Sequence, residues 1–553
     1  MTFEKVIQMS YCKLLENKRK LINASRCFSG AAKSLFFNCL HQTIKYSKAS
    51  TIYALSSGYG KCGVAVIRIS GPNAKETIIN IAKLTSLPQP RQALLRSLKD
   101  PVTNDTLDRG LVLWFPGPKS FTGEDSCELQ VHGGPAVVSA VLMALGKLAG
   151  YRPAEPGEFT RRAFHGGKLD LTEVEGLADL IHAETEAQRK QALFQMEGNL
   201  SHLYNSWRET LINCMAHVEA FIDFSEDENI EENTMDIVQN KLMNLKNVIQ
   251  SHLADGRCGE RLRDGVRTVI VGEPNVGKSS LLNVLCQRPA AIVTPIAGTT
   301  RDIVELHANI GGYPVIIADT AGLRNDASDE VEKEGISRAH AYAQQADLVI
   351  LVIDATKYEA QMTKNNFVSF NSYVNSYINK LKLDNIIRKN KNSESMSLRT
   401  GDKDSKSEGS TDNFVDEICG SEKCIIVLNK TDLLHDVTGM KNSLKHYNGI
   451  IALSCKTENG IPQLLDRMTS NLTMLCGKPS RENPCLTQSR HRQHLTDCVA
   501  CLDKYFELSA IGGDTVLAAQ EVRKALRHIG KITGHVSTEQ ILDVIFKDFC
   551  VGK

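Results

Sequence analysis

The sequence lacks a long apolar run, and it lacks a net charge. No stretch of 18 or more apolar residues occurs, so we expect no transmembrane helix. The 65 Lys and Arg residues nearly balance the 64 Asp and Glu residues, which leaves a formal charge of +1. This balance excludes a polybasic nucleic-acid coat and an acidic disordered chain, although it is compatible with local basic patches.

Clustered cysteines are also missing, because the 16 cysteines are scattered over 553 residues. Small disulfide-stapled secreted domains have a different pattern, so we expect mostly reduced thiols in a cytosol-like compartment.

The chain is too long to form a single hydrophobic core. At roughly 100–200 residues per domain, the chain should contain three or four domains.

Acidic residues are almost absent from the N-terminus. Glu4 and Glu16 are the only acids among the first 50 residues, and none occurs between Asn17 and Lys75. A basic, acid-poor leader that also contains Ser, Phe and Leu is typical of a mitochondrial transit peptide, which we place at residues 1–48. The alternative is a basic disordered tail of a cytosolic protein.

The rest of the chain changes texture three times. Residues 49–168 mix short strand and helix patterns, and residues 169–263 have helical periodicity, interrupted over Thr185–Phe224 only by Gly198. In residues 264–476, apolar runs alternate with helices, which predicts a parallel α/β sheet. Residues 477–553 are helical again. The predicted fold class is therefore multidomain, α/β plus all-α.

A polar stretch interrupts the α/β region at residues 357–421. Its second half, about 388–420, is too rich in Asn, Ser, Lys and Asp to bury a core, so we predict a disordered insertion there. The first half is compatible with a helix through Val374, Tyr377 and Leu381. Neither half carries a functional signal.

A phosphate-binding loop is the strongest motif. An apolar strand precedes GEPNVGKS at residues 272–279, and apolar helix residues follow it. Glycines let backbone amides surround phosphates, Lys278 reaches the β- and γ-phosphates, and the Ser279 hydroxyl binds Mg²⁺. The positive end of the following helix faces the anion.

Two downstream motifs identify the nucleotide. DTAG at 319–322 ends a strand and supplies an acid for Mg²⁺ and a glycine amide for the γ-phosphate. NKTD at 429–432 ends another strand, and SCK follows at 454–456. Because the Asp432 carboxylate can accept the N1 and 2-amino hydrogens of guanine, the motif favours GTP over ATP. All three motifs in order predict a GTPase.

The usual water-positioning glutamine is absent. Leu323 follows DTAG, and leucine cannot orient water. Nearby Glu330, Glu332 and Glu334 are candidates for this role, and the alternative for such a run is a solvated helix face. Asn275 and carbonyls of the 294–300 loop could instead hold a monovalent cation near the β- and γ-phosphates, where it would replace an arginine finger.

Motifs outside the GTPase signature resemble the MnmE (TrmE) family of tRNA-modification GTPases, in its mitochondrial form. The similarity extends from about Thr51 to Lys553, apart from the insertion. The segments that carry it are VIRISG at 66–71, FTGED at 121–125, HGGP at 132–135, PGEFT at 156–160, GKLDL at 167–171 and FCVGK at 549–553.

The resemblance implies a three-part fold. A tetrahydrofolate-binding, dimerising N-terminal domain would precede a helical domain built from two segments, with a Ras-like G domain inserted between them. It also implies an FAD-binding partner protein, with which the family adds a C5 aminomethyl-type group to the wobble uridine of tRNA. The 5-formyl- or methylene-tetrahydrofolate would supply the carbon, and animal mitochondria would make a taurine-bearing product. A homodimer or heterotetramer in the mitochondrial matrix is expected.

The resemblance also assigns site residues. Folate contacts carry over to Arg68, Glu128, Lys168 and Lys553, whereas Cys550 is either chemical or a buried small side chain. The residues assigned to GTP are Gly272, Asn275, Gly277, Lys278, Ser279, Ser280, Thr299, Thr300, Asp319, Gly322, Asn429, Lys430, Asp432, Ser454, Cys455 and Lys456.

Metal and catalytic roles carry over in the same way. Mg²⁺ would be held by Ser279, Thr300 and Asp319, and K⁺ by Asn275, Thr294, Ile296 and Thr299. Glu332 corresponds to the glutamate that arranges water, and it acts beside Asn275 and Lys278. The loop before it is one residue longer than usual, so Glu330 remains an alternative.

One apparent metal motif is set aside. His491, His494, Cys498 and Cys501 share one helix face, but over three turns they extend for roughly 15 Å and cannot surround one ion. We expect a packed face, or tRNA phosphates bound by Arg490, Arg492 and His494.

Two other functions share part of this signature. A GTP-driven ribosome-assembly factor would have the same G-domain motifs but no folate site in residues 51–168. A non-catalytic switch is suggested by Leu323, and potassium-stimulated turnover would exclude it.

Overall fold

The structure is a computed structural model, and it describes the chain with gaps. The described residues are 50–224, 233–286, 305–318, 342–363, 369–381, 383, 384, 418, 421–435, 440, 447, 449–482, 484–510, 515–536, 542, 545, 546, 549 and 552. They fall into two units. The first contains the residues up to Leu169 together with Gln540–Lys553, and the second contains Asp170–Glu539.

The first unit is built on a six-stranded sheet with the order β3-β4-β5-β2-β1-β6. Its strands are β1 (Thr51–Leu55), β2 (Cys62–Ser70), β3 (Leu94–Lys99), β4 (Thr106–Phe115), β5 (Ser126–Gly133) and β6 (Tyr151–Pro153). Its helices are α1 (Ala74–Asn80), α2 (Pro135–Gly146) and α3 (Glu158–His165). The pairs β1–β2, β2–β5, β4–β5 and β3–β4 are antiparallel, and β1–β6 is parallel.

Inward side chains of this sheet form the core of the first unit. Ile67, Ile69, Leu129 and Val112 are fully buried, and they alternate with outward residues as expected for strands covered on one face. Arg68 and Glu128 face each other across β2 and β5. The alternation therefore places both charged side chains on the sheet face opposite that core.

In the second unit, helices occur in the sequence both before and after the strands of the sheet. The helices before the sheet are α4 (Leu171–His182), α5 (Glu186–Met196), α6 (Asn199–Phe224), α7 (Asn233–Leu253) and α8 (Cys258–Asp264). Asp170 and Thr185 cap α4 and α5 as capping boxes with Glu173 and Gln188. Between α5 and α6 the chain turns at Gly198, whose φ of 91° favours glycine.

The second sheet is a G-domain sheet with the order β12-β11-β10-β7-β9-β8. Its elements are β7 (Val266–Val271), α9 (Lys278–Cys286), β8 (Glu305–Ile310), β9 (Tyr313–Ala318), β10 (Leu348–Asp354), α10 (Ala355–Thr363), α11 (Phe370–Lys380), β11 (Cys424–Asn429), β12 (Ile450–Ala452) and α12 (Ile461–Cys476). All strand pairs are parallel except β8–β9. The parallel α/β sheet expected from the sequence is thus present, with an added antiparallel edge strand.

Two long helices follow the G domain, α13 (Ser489–Ala510) and α14 (Thr515–Thr533). They share a core with α6 and α7, in which Tyr204, Leu242, Leu495, Leu502 and Ile529 are buried. The helical part is therefore assembled from segments on either side of the G domain in sequence. Within the described residues, no helix is both long and apolar enough to cross a membrane.

Candidate functional site: a nucleotide-binding loop and a separate charged pair

The loop after β7 has the backbone geometry of a phosphate cradle. Gly277 has a φ of 97°, and a Cβ atom there would lie 2.2 Å from Nδ2 of Asn429. Asn275 has a φ of 62° and is exposed. Asn and Gly tolerate this left-handed region. The sequence therefore places at these two positions the residues that can close a tight loop before α9.

The Lys278 side chain folds back over this loop. Its Nζ donates to the carbonyl oxygens of Gly272 at 2.9 Å and Glu273 at 2.8 Å. Ser279 and Ser280 are exposed in the first turn of α9, where the unpaired amides and the helix dipole attract anions. The loop and the first turn of α9 thus offer backbone amides and hydroxyl groups that suit a phosphate group.

Asn429 connects the phosphate loop to the turn that begins at Ser454. Its Nδ2 donates to the carbonyl oxygen of Val276 at 2.8 Å, and its Oδ1 accepts from the Cys455 amide at 3.2 Å. The side chain is almost fully buried, so both bonds are shielded from water. Asn429 therefore acts through its neighbours and holds these two segments in register.

Asp432 is exposed, and a buried neighbour orients its carboxylate. The buried Ser454 hydroxyl donates to its Oδ1 at 2.6 Å, and Ser454 Oγ also accepts the amides of Lys456 and Thr457. One hydroxyl therefore orients the carboxylate and shapes the 454–457 turn. The sequence predicted that this carboxylate accepts the guanine N1–H and 2-amino hydrogens.

Lys430 is held by Asp354, at the end of β10. The two side chains form an ion pair of 2.7 Å, and Asp354 also accepts from the Thr356 hydroxyl. Burial opposes ionisation of Asp354, but the bonds from Lys430 and Thr356 lower its pKa below the usual value. The ion pair therefore fixes the position of the Lys430 side chain.

In the first unit, two of the expected folate residues form an ion pair. Nε of Arg68 donates to Oε1 of Glu128 at 2.9 Å, and both side chains are partly exposed. The Arg68 guanidinium lies 5.1 Å from the Phe121 ring centroid and 5.9 Å from that of Phe159. Lys168 is exposed, and its side chain lies near Gly123, two residues after Phe121.

Residues near the end of the chain pack into this first unit. Phe546 is fully buried, and its ring centroid lies 6.3 Å from that of Phe164. Ser56 Oγ donates to the carbonyl oxygen of Gly552 at 2.8 Å. Because Gly552 is buried with a φ of 100°, its position against β1 demands glycine. The sequence texture grouped residues 477–553 together, whereas the structure groups residues 540–553 with the first unit.

Two family models cover nearly all of the region with these features. One, described as the GTP-binding protein TrmE N-terminus, matches residues 51–168, and the other, described as the MnmE helical domain, matches residues 171–550. The chain belongs to the MnmE/TrmE family of tRNA-modification GTPases, in its mitochondrial form. This confirms the resemblance found in the sequence, and the chain is a GTP-hydrolysing enzyme.

Full-length relatives agree with this assignment. The chain is 49% identical to the mitochondrial 5-taurinomethyluridine tRNA synthase subunit GTPB3 of Danio rerio, over 91% of this chain and 93% of that protein. It is 45% identical to the Homo sapiens protein of the same name, with the same coverage. It is 44% identical to the tRNA modification GTPase MnmE of Parvibaculum lavamentivorans, which is covered completely.

Several predicted residues of this MnmE-family GTPase lie outside the described part of the chain. They are Thr294, Ile296, Thr299, Thr300, Asp319, Gly322, Glu330, Glu332, Cys550 and Lys553. The predicted leader at 1–48 lies outside it too, and of the predicted insertion at about 388–420 only Ile418 is described, buried beside the G-domain sheet.

Sequence reasoning missed a set of residues that support the phosphate loop of this GTPase. The Tyr377 hydroxyl on α11 accepts from the Glu273 amide at 2.8 Å and donates to the Val352 carbonyl at 2.9 Å. The Glu273 carboxylate pairs with Lys357 at 2.9 Å and with Lys380 at 2.5 Å. Burial opposes ionisation of Glu273, yet these two bonds lower its pKa.

The sequence did contain a signal for this support. Tyr377 lies on the apolar face of α11 with Val374 and Ile378, and a polar hydroxyl on such a face needs a partner. Burial raises the pKa of Tyr377, so the hydroxyl stays protonated and can donate. The partner itself comes from the fold, which brings α11 beside the phosphate loop.

Replacing Tyr377 by phenylalanine should weaken nucleotide binding. The ring would still fill the core, but the Glu273 amide and the Val352 carbonyl would lose their common partner. Leaving such groups unpaired costs about 1–3 kcal/mol, so we expect roughly tenfold weaker GDP binding and a lower free energy of unfolding. Fluorescent-GDP titration and urea unfolding measure the two effects.

Tyr358→Phe is the matched control, because it removes a hydroxyl from a buried ring of the same core cluster. It should leave the GDP affinity near the wild-type value. Equal affinities for Tyr377→Phe and wild type would show that the hydroxyl does not position the loop.

The helix face that was set aside as a metal site is packed, as expected. His491 is completely buried, and its Nε2 lies 2.8 Å from Oε2 of Glu175. Arg490 pairs with the same carboxylate, and Arg492 pairs with Asp255 and Glu260. Both arginines are thus committed within the second unit, which weakens the expectation that they contact tRNA phosphates.

Proposed function

We propose that this GTPase modifies the wobble uridine of mitochondrial tRNAs together with an FAD-binding partner protein. A reduced folate, 5-formyl- or methylene-tetrahydrofolate, would supply the one-carbon unit. The product would carry a C5 taurinomethyl or carboxymethylaminomethyl group. The chain would act in the mitochondrial matrix after removal of a leader near residues 1–48, as a homodimer or as a heterotetramer with its partner.

The observation that carries this proposal is the presence of two distinct sites in one chain. The second unit contains the phosphate-loop and NKTD motifs of a GTPase, whereas the first unit contains the Arg68–Glu128 ion pair and a separate hydrogen bond between Ser56 and Gly552. A simple GTP switch needs only the former. The printed names of the relatives, which include 5-taurinomethyluridine tRNA synthase subunits, support the same reaction.

Mass spectrometry of mitochondrial tRNA nucleosides tests this function directly. Cells without the protein should lose the C5-modified wobble uridine and accumulate unmodified uridine at that position. Wild-type protein should restore the modification, and Asp432→Asn should not. Normal wobble nucleosides combined with a defect in ribosomal subunits would instead identify a ribosome-assembly factor.

Arg68→Ala should weaken folate binding. We propose that Arg68 and Lys168, with Lys553, pair with the glutamate carboxylates of folate, and that Glu128 accepts pterin N–H groups. Loss of one charge-assisted contact costs about 1.5–3 kcal/mol, or roughly 10–100-fold in affinity. Calorimetry with 5-formyl-tetrahydrofolate measures this change, and GTP hydrolysis in the other unit should continue.

Arg109→Ala is the matched control, since Arg109 is an exposed arginine of β4 in the same sheet. Its folate affinity should equal that of wild type. If Arg68→Ala and Lys553→Ala both bound folate as tightly as wild type does, the assignment of the folate site to these residues would be wrong.

Potassium should accelerate GTP hydrolysis through Asn275. Its side-chain oxygen is exposed beside the phosphate loop, and we propose that it joins Thr294, Ile296 and Thr299 around K⁺ when two G domains meet. The ion would offset phosphate charge in the transition state. Turnover should therefore rise in KCl and stay low in NaCl, because Na⁺ is too small for the same cage.

Two substitutions of Asn275 distinguish the loss of its side-chain oxygen from an effect on the backbone conformation. Asn275→Ala should abolish the potassium response, but alanine is strained at a φ of 62°. Asn275→Gly removes the same oxygen without that strain, so it should lose the potassium response while keeping GTP affinity. Equal wild-type rates in matched KCl and NaCl would reject the mechanism.

A further inference from the structure

The helical hairpin after the G domain brings three potential metal ligands together. His494 and Asp497 lie one turn apart on α13, and His528 lies on α14. The possible ligand atoms of these three side chains all lie within 4.8 Å of one another. Ligands of a tetrahedral ion at roughly 2.0–2.2 Å are about 3.3–3.6 Å apart, so small side-chain rotations would close the set.

The second helix changes the geometric argument made from sequence. Four ligands spread along one helix cannot surround an ion, and the structure places Cys498 in the apolar core. His528 instead approaches His494 from the facing helix, with the two ring centroids 5.7 Å apart. A pair of ligands one turn apart on α13 can converge with a third from α14, whereas four ligands spread over three turns of one helix cannot.

Both imidazole rings have an unused nitrogen. Nδ1 of His494 and Nδ1 of His528 are inaccessible to solvent and have no hydrogen-bond partner among the described residues. His528 Nδ1 is 3.6 Å from Oδ2 of Asp497, too far for a good hydrogen bond. A buried polar atom without a partner is costly. A metal ion that accepts the lone pairs of both nitrogens would therefore be stabilised here.

We propose that His494, Asp497 and His528 bind a divalent transition-metal ion, for which Zn²⁺ is the best match. Two imidazoles and one carboxylate are a known ligand set for Zn²⁺, and water would complete the tetrahedron. The ion would fasten α13 to α14. This site is independent of the nucleotide and folate residues.

His494 and His528 are both partly buried, and the positively charged side chains near His494 include Arg490 and Lys531. Arg490 is already paired with Glu175 and with the Lys531 carbonyl, which offsets its repulsion of a cation.

An outer partner orients the carboxylate ligand. Gln493 Nε2 donates to Oδ1 of Asp497 at 2.9 Å, which leaves Oδ2 toward His528. Partners of this kind set ligand orientation, and their loss costs roughly 10–100-fold in metal affinity. Substitutions of the histidine ligands and of Gln493 should therefore weaken metal binding to different extents.

Zn²⁺ titration of the full chain tests the proposal. Protein stripped with a chelator and then freed of it should bind one equivalent of ZnCl₂ in competition with a chromophoric chelator. His494→Ala and His528→Ala should each weaken this binding more than about 100-fold, and Gln493→Ala should weaken it about tenfold. His217→Ala, which removes an exposed histidine of α6, should have no effect.

Cobalt spectroscopy distinguishes metal binding at this site from binding by cysteines. It also gives a result that does not depend on the folding of a variant. The wild-type Co²⁺ complex should have a tetrahedral d–d spectrum without a thiolate charge-transfer band, and this needs no substitution. The conservative variant His528→Asn should lose that spectrum while its circular dichroism is unchanged. A wild-type chain that binds no ion, or one whose complex shows the thiolate band, overturns the proposal.

Discussion

Glu332→Ala should lower the GTP turnover number by about 10²–10⁴-fold, the usual contribution of a general acid–base group. Leu323 occupies the position where many GTPases have the water-orienting glutamine, so another side chain must perform this role. We propose that Glu332 arranges the attacking water. Single-turnover hydrolysis in KCl measures the effect without a contribution from product release.

Binding should survive in that variant. GTP affinity and potassium-induced association of G domains should stay near wild type, because the phosphate loop, Asp432 and Asn275 are unchanged. Glu330→Ala is the matched control, two residues away, and it should hydrolyse GTP normally. If Glu330→Ala were inactive and Glu332→Ala active, the role would move to Glu330 and the rest of the mechanism would stand.

Asp432→Asn should reverse the base preference of the site. The change replaces one acceptor oxygen by an amide donor, so the guanine N1–H and 2-amino groups lose a charged acceptor. Two such bonds at about 1.5–3 kcal/mol each correspond to a loss of roughly 10²–10⁴-fold in GTP affinity. Xanthosine triphosphate has a 2-oxo group instead, and it should become the tighter ligand.

Ser454 makes this substitution a clean test. Its hydroxyl donates to Asp432 Oδ1, and it can donate equally to an asparagine oxygen, so the loop should keep its shape. Asp466→Asn, on the exposed surface of α12, is the control and should leave both affinities unchanged. Unaltered base selectivity in Asp432→Asn would refute the pocket assignment.

Features with a strong local pattern could be predicted from the sequence. The apolar runs that became β7, β10 and β11 are buried along their whole length but for Arg267, and Gly198 separates two helices as its position suggested. The phosphate loop was evident because its glycines and lysine are parts of one short motif, and these residues themselves form the loop. In each of these cases the decisive signal lies within a few consecutive residues.

What the sequence did not reveal depends on contacts between distant residues. β8 has only weak alternation, so its pairing with β9 was missed. The hydrogen bond between Tyr377 and the Glu273 amide joins residues 104 positions apart. The approach of His528 to His494 requires the antiparallel packing of two helices, which no local pattern specifies.

The packing of the last residues against β1 has a consequence for synthesis of the protein. Ser56 and Gly552 are hydrogen-bonded partners separated by 496 positions in the chain. At about 5–20 residues per second, a ribosome needs roughly 25–100 s to travel between them. The packing of Gly552 against the end of β1 can therefore form only after residue 552 has been made. A truncation that removes this residue would take a packing partner away from the strand that is made first.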